Sequence, residues 1–261
     1  MYRFLLRPRW LLGHLLAAGL VVLLGSLGLW QLRRLDERRE HNALVLERSA
    51  TVVPLPAEGW DGAADAASLA FRRVRLQGRY VADKEVLVRF RSNQGLPGYN
   101  VLTPMTTAQG AIIVNRGWVP LEMGDHWPVP RAGPPEGETS VTGLLRSSQP
   151  GDRFLPSGPT ANVPLSVGAV NVAGLKRRLS LALYPLYLEL DRPEAADAAA
   201  GFPQALPAPE LDEGPHLSYA IQWFFFSAGA AAGWVMLIRI SARKRLELGP
   251  VGAESAFGDL A

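Results

Sequence analysis

Residues Gly214 to Trp234 read GPHLSYAIQWFFFSAGAAAGW, a run greasy enough to cross a bilayer that opens with a histidine and carries a tyrosine and a glutamine in its first two turns. From Leu217 to Ile238 there is no formally charged residue. About 20 such residues in a helix span the roughly 30 Å of membrane hydrocarbon. A second block of the same kind, Trp10 to Leu32 (WLLGHLLAAGLVVLLGSLGLWQL), lies near the other end of the chain. A cleaved signal peptide also begins with arginines and a greasy run. This run is too long for a typical signal core, however, and ends in Trp-Gln-Leu-Arg-Arg with no small-x-small cleavage site, so the expectation is a retained anchor.

Charge sets the expected orientation. Arg239, Arg243, Lys244 and Arg245 follow the second span, whereas Glu210, Asp212 and Glu213 precede it. Basic residues favour the cytoplasmic side, which puts the C-terminus inside and the N-terminus, with Arg3, Arg7 and Arg9, beside it. Arg33, Arg34, Arg38 and Arg39 argue the other way, but a loop this long translocates largely regardless of its charge. The reading is a two-pass protein of the bacterial plasma (inner) membrane, with both termini cytoplasmic and the central domain extracytoplasmic. The boundaries are a cytoplasmic start at 1–9, transmembrane helix 1 at 10–32, a helical extension and loop at 33–70 and an extracytoplasmic domain at 71–191. An Ala/Pro-rich linker at 192–215, transmembrane helix 2 at 216–240 and a cytoplasmic tail at 241–261 complete it.

The net charge of +3 forms no basic stripe, so nucleic acid is not an expected partner, and the lipid bilayer is. Cysteine is absent, which removes disulfides, thiol catalysis and CxxC chemistry. The segment RRLDERREHNALVLERS extends the first helix until Pro54 and Pro56 break it. FRRVRLQGRYV, KEVLVRFR, AIIVNRGWV, ETSVTGLLRSS and LYPLYLEL then read as strands, with Gly95, Pro97 and Gly98 as a turn and AGLKRRLSLAL as one short helix. The expected fold is a membrane protein with two transmembrane α-helices flanking an extracytoplasmic α+β domain built on a mainly antiparallel sheet.

No HExxH, GxSxG or paired-histidine spacing occurs, so no catalytic residue is assigned and an enzyme is not expected. His126 in MGDHWPVP reads as a loop residue and His41 as solvent-facing. His14, inside span one, is satisfied by snorkelling or a helix–helix hydrogen bond. His216 differs in its company: with a helix starting near Pro215, His216, Tyr219, Ala220 and Trp223 share one face. Two readings stand for that face. It is an interfacial aromatic belt, or it is a ligand site, where a neutral imidazole binds iron and flanking rings cover a porphyrin plane. Gln222 favours the second, because an amide about two turns into hydrocarbon needs a partner, and Trp30-Gln31 of span one is expected to supply it.

Gly28-Leu29-Trp30-Gln31, Asn115-Arg116-Gly117-Trp118-Val119-Pro120 and His216-Leu217-Ser218-Tyr219-Ala220-Ile221-Gln222-Trp223-Phe224 together resemble the surfeit-locus (Surf/Shy) family of cytochrome c oxidase biogenesis proteins. The order of span, domain and span matches too. The resemblance implies an assembly factor for aa3-type oxidases, with the oxidase catalytic subunit and haem a synthase as partners and haem a as a transient cofactor. It maps the iron ligand onto His216 and, more weakly, neighbouring pocket positions onto Trp30, Gln31, Gln222 and Trp223. An alternative within the same family is a membrane scaffold that never ligates iron. NRGWVP reads either as a strand end with Trp118 in the core or as a docking edge with Arg116 open to a haem propionate. In one departure, PLSVGAVNVAGL carries Asn171 where the family pattern leads one to look for an acid.

Overall fold

The computed structural model describes residues 3–60, 65–124, 127–129, 132–150, 165–192 and 201–247. The chain divides into two units, with breaks between Asn42 and Ala43 and between Glu210 and Leu211. The expected architecture of two long apolar helices flanking a sheet domain is what the structure has.

The first unit is a helix pair. Helix α1 (Pro8–Ser49) is unbroken for 42 residues, because the run through the charged extension contains neither glycine nor proline after Gly28. Its partner, labelled α5 below, is His216–Glu247. The less exposed positions recur every three or four residues: His14, Ala17, Val21, Leu24, Gly28, Gln31 and Leu35 on α1, and His216, Ala220, Trp223, Ser227, Ala230, Trp234 and Ile238 on α5. That 3.5-residue period is the seam of an antiparallel, left-handed pair. Contacts run along it in register. The Trp234 indole donates to His14 Nδ1 at 3.0 Å, and the Ser227 hydroxyl donates to the Val21 carbonyl at 2.9 Å. The seam mixes small and polar residues with a few large apolar ones, while Leu15, Leu16, Val22 and Phe225 point away and are about seven-tenths exposed. This is the reverse of a water-soluble helix pair.

The second unit is a mixed sheet. Its strands are β1 (Val52–Pro54), β2 (Arg73–Tyr80), β3 (Val86–Asn93), β4 (Leu96–Thr106), β5 (Ala111–Pro120), β6 (Glu138–Arg146), β7 (Leu165–Val167) and β8 (Leu183–Leu190). Short helices α2 (Ala66–Leu69), α3 (Leu121–Gly124) and α4 (Val172–Leu179) lie between them. The strand order is β1-β2-β6-β8-β5-β4-β3-β7, and β2 also pairs with β4 through Arg79–Thr106 and Tyr80–Met105. Strands β2, β6, β8, β5 and β4 thus close into a ring. A side chain at Gly78 would collide with the Thr106 carbonyl at the seam, so closure needs glycine there.

The ring has a filled interior. Val74 and Leu76 from β2, Met105 from β4, Ile112 and Val114 from β5, Val141 and Leu145 from β6, and Leu186 and Leu188 from β8 form one buried cluster. Along β2, β5 and β8 these inward residues occupy every second position, as a small barrel requires. The sheet is mainly antiparallel, as expected, through β2–β4, β2–β6, β3–β4, β4–β5 and β6–β8, while β1 with β2, β3 with β7 and β5 with β8 run parallel. The parallel β5–β8 contact follows from the intervening β6 and α4, which return the chain in the original direction. Helix α4 covers the outside, burying Val172, Leu175 and Leu179, each worth about 1.5–3 kcal/mol. Its N-cap is Asn171, whose side chain accepts from the Gly174 amide at 2.6 Å. An aspartate would cap the same turn, so this departure from the family pattern preserves the helix start.

Tyr184 closes the ring interior near α2. Its ring is fully buried and its hydroxyl donates to the Pro56 carbonyl at 3.1 Å. Burial, with Glu58 adding repulsion, pushes this phenol up to about 12. The folded value lies above the unfolded one of about 10, so this contribution to stability is complete below pH 10 and disappears as pH rises through 12. Unfolding free energies measured between pH 9 and 12 should fall by about 2–3 kcal/mol more in the wild type than in Tyr184→Phe. Identical slopes for the two proteins would contradict this assignment.

Candidate functional site

The start of α5 is built by a short turn. The Asp212 carboxylate accepts from the Gly214 amide at 3.0 Å, and Gly214 adopts φ +71°, a left-handed conformation suited to glycine. Arg39 grips the turn from α1, with Nε and Nη2 donating to the two Glu213 carboxylate oxygens at 2.9 and 3.0 Å. That hydrogen bond and the charge behind it hold the Glu213 carboxyl below the usual range. Asn42 adds a bond from its amide to the Leu211 carbonyl at 2.8 Å. No local motif singles out Arg39, Glu213 or Asn42. The signal that could have found them is the 3.5-residue seam, which carries on from Gly28 through Leu35 to Asn42.

His216 is the first residue of α5, half-buried, with Nδ1 2.8 Å from Gln31 Oε1. The expected partnership of the two glutamines is therefore corrected: Gln31 meets the histidine, and Gln222 is exposed on the far side of α5. Helical phase explains it. Gln222 lies six residues from His216, about 240° around the helix and off the seam. Trp30, adjacent to Gln31, also faces outward and is half-exposed. Tyr219 flanks His216 one turn along and is exposed, while Trp223 lies on the seam with its ring edge-on to Phe226. Among the described residues, the structure thus brings His216, Gln31, Ala220 and Trp223 to one seam and leaves Tyr219 at its edge.

Two further expectations resolve differently. His14 makes the helix–helix hydrogen bond foreseen for it. Arg116 is buried in the sheet unit, where its guanidinium donates to Glu85 at 3.1 Å and to the Ala132 and Gly133 carbonyls at 2.8 Å. It is corrected from an open propionate partner to an internal tie, because a side chain so enclosed presents no face to a ligand. His126 lies outside the described residues.

The SURF1 family model matches residues 18–228. The chain belongs to the SURF1 family. A SURF1-like protein of Mycobacterium tuberculosis is 31% identical over 256 residues, covering 94% of this chain and 90% of that protein. One from Monosiga brevicollis is 30% identical over 228 residues, covering 82% and 83%. The surfeit locus protein 1 of Takifugu rubripes is 32% identical over 151 residues, covering 51% and 60%. The SURF1 match includes Gln31, His216 and Arg116 but stops short of Trp234, so the paired seam ends in residues the family model does not reach.

Among the described residues there is no cluster of three or more His, Cys, Asp or Glu side chains that could cage a bare ion.

Proposed function

We propose that this SURF1 protein is a two-pass membrane protein with both termini cytoplasmic, and that its helix pair holds haem a at the outer edge of the bilayer. From there it passes the haem to the catalytic subunit of an aa3-type cytochrome c oxidase. The observation that carries this reading is His216 at the head of α5, its Nδ1 engaged by Gln31 and its ring beside side-chain-free Gly214. The outward apolar faces of both helices support the membrane setting, and family membership supports the oxidase setting.

His216 would hold the haem through Nε2, and the haem when bound would supply an iron for that nitrogen to ligate. Trp223 and Tyr219 lie on the same side of α5 to cover apolar macrocycle surface, and the Arg39–Glu213 clamp holds the turn that fixes the histidine. A hold through His216 alone would be one that a receiving subunit with more ligands could take over. On this reading the chain binds and releases the haem and makes or breaks no bond within it.

The test is haem a content of the isolated catalytic subunit from cells lacking this protein and supplied with either form of it. Wild type should restore the content and His216→Ala should not. Full restoration by His216→Ala would favour a scaffold for the oxidase or for haem a synthase.

A further inference from the structure

The two histidines between α1 and α5 both use Nδ1 toward the other helix, but their partners differ in kind. The Gln31 carbonyl oxygen only accepts, so the proton between it and His216 belongs to Nδ1, leaving the lone pair on Nε2. The Trp234 indole only donates, so His14 Nδ1 must accept and the His14 proton sits on Nε2. A neutral imidazole binds iron through the nitrogen that lacks the proton. One helix pair therefore holds one histidine ready to ligate and one whose Nδ1 lone pair is already committed.

We propose that Gln31 is a positioning residue that fixes His216 in its iron-binding tautomer, with Nε2 presented beside the bare backbone of Gly214. A Cβ at Gly214 would touch the ring at ordinary contact distance, 3.4 Å from His216 Cδ2 and 3.5 Å from Nε2, so glycine leaves that edge of the imidazole without a side chain against it. The role in haem binding rests on the function proposed above. The tautomer does not, and it is measured without haem.

The experiment is 15N NMR of histidine-labelled full-length protein in detergent, free of haem, for wild type, Gln31→Leu and Gln31→Glu, followed by titration of each with haemin. His216 should show the Nδ1–H form in wild type and in Gln31→Glu, which keeps an acceptor, and a mixture of tautomers in Gln31→Leu. His14 should show the Nε2–H form throughout. Haemin affinity should fall by about 10–100-fold in Gln31→Leu, the usual cost of losing such an orienting bond, and be largely retained in Gln31→Glu. Circular dichroism showing unchanged helix content separates these effects from misfolding. An Nε2–H His216 in wild type, or Gln31→Leu that binds haemin as tightly as wild type, overturns the proposal. Wild type with the Nδ1–H form but no haemin binding overturns the haem-carrier reading while upholding the hold of Gln31 on the ring.

Discussion

Replacing Arg116 with alanine is expected to cost the sheet unit about 3–5 kcal/mol, the penalty for stranding one member of a buried ion pair. The Arg116 and Glu85 side chains are both almost completely buried. Besides Arg116, Glu85 accepts from the Thr103 hydroxyl at 2.7 Å and the Trp127 indole at 3.1 Å. Burial already pushes the Glu85 carboxyl above its ordinary value against the pull of these donors. Without the arginine the carboxylate loses its cation, and the Ala132 and Gly133 carbonyls lose their donors. Denaturant unfolding of the full chain, followed by near-ultraviolet circular dichroism, should show the loss. Arg116→Met combined with Glu85→Leu should cost less than Arg116→Ala alone, because it removes both charges together. A loss below about 1 kcal/mol for Arg116→Ala would mean that the pair is not structural.

This makes NRGWVP a folding motif. Arg116 ties β5 to the chain at 132–133, while Gly117, at φ +137°, leaves room for the Gln204 carbonyl. Trp118 then pairs with Gln204 through both backbone groups. The expected linker therefore contains a piece of the sheet unit at Gln204, with Phe202 packed on the cluster around Trp127.

Composition made the two long helices legible, since a charge-free run of about 20 apolar residues is the length that bilayer hydrocarbon demands of a helix. The strands β2, β5, β6 and β8 were legible from their alternating or continuously apolar runs. Strand β4 was not, because Gly95, Pro97 and Gly98 read as a turn where the strand begins. In the structure Pro97 and Gly98 lie inside the ladder, opposite Ser92 and Arg91 of β3, which pairs with β4 only as far as Leu102 before β2 takes over at Met105. Pro104 sits at that handover and uses its carbonyl to accept from the Val81 amide. Its missing N–H falls where neither of these neighbours requires it. Ring closure rests on two residue pairs distant in sequence, and Arg116 finds Glu85 31 residues away. No local pattern announces either. At the site, His216 and Gln31 were both legible, but their pairing was not, because the phase of the seam decides it.

Gly28→Leu is expected to damage the helix pair. A Cβ there would lie 2.7–2.9 Å from three atoms of the Phe224 ring, one turn from Gln31. Overpacking of this kind costs about 1–3 kcal/mol and shifts the equilibrium between paired and separated helices about 5- to 150-fold. The absence of native cysteine makes a direct readout possible. Cysteines at Val21 and Ser227, whose backbone and hydroxyl oxygens are 2.9 Å apart, should cross-link with Gly28 intact and much less with Gly28→Leu. Equal cross-linking would show that the helices are not held by the Gly28–Phe224 contact. Gly28→Leu should also weaken the Gln31 hold on His216, so its haem binding should fall with the cross-link.

The most direct test of the haem-carrier reading is the absorption and pyridine haemochrome spectrum of the protein, purified in detergent from cells that make haem a. His216→Ala, prepared in the same way, is the comparison. The account predicts a haem a signal in the wild type that is lost in His216→Ala. Haem-free wild-type protein from cells shown to contain haem a, or an equal signal in both proteins, would contradict it.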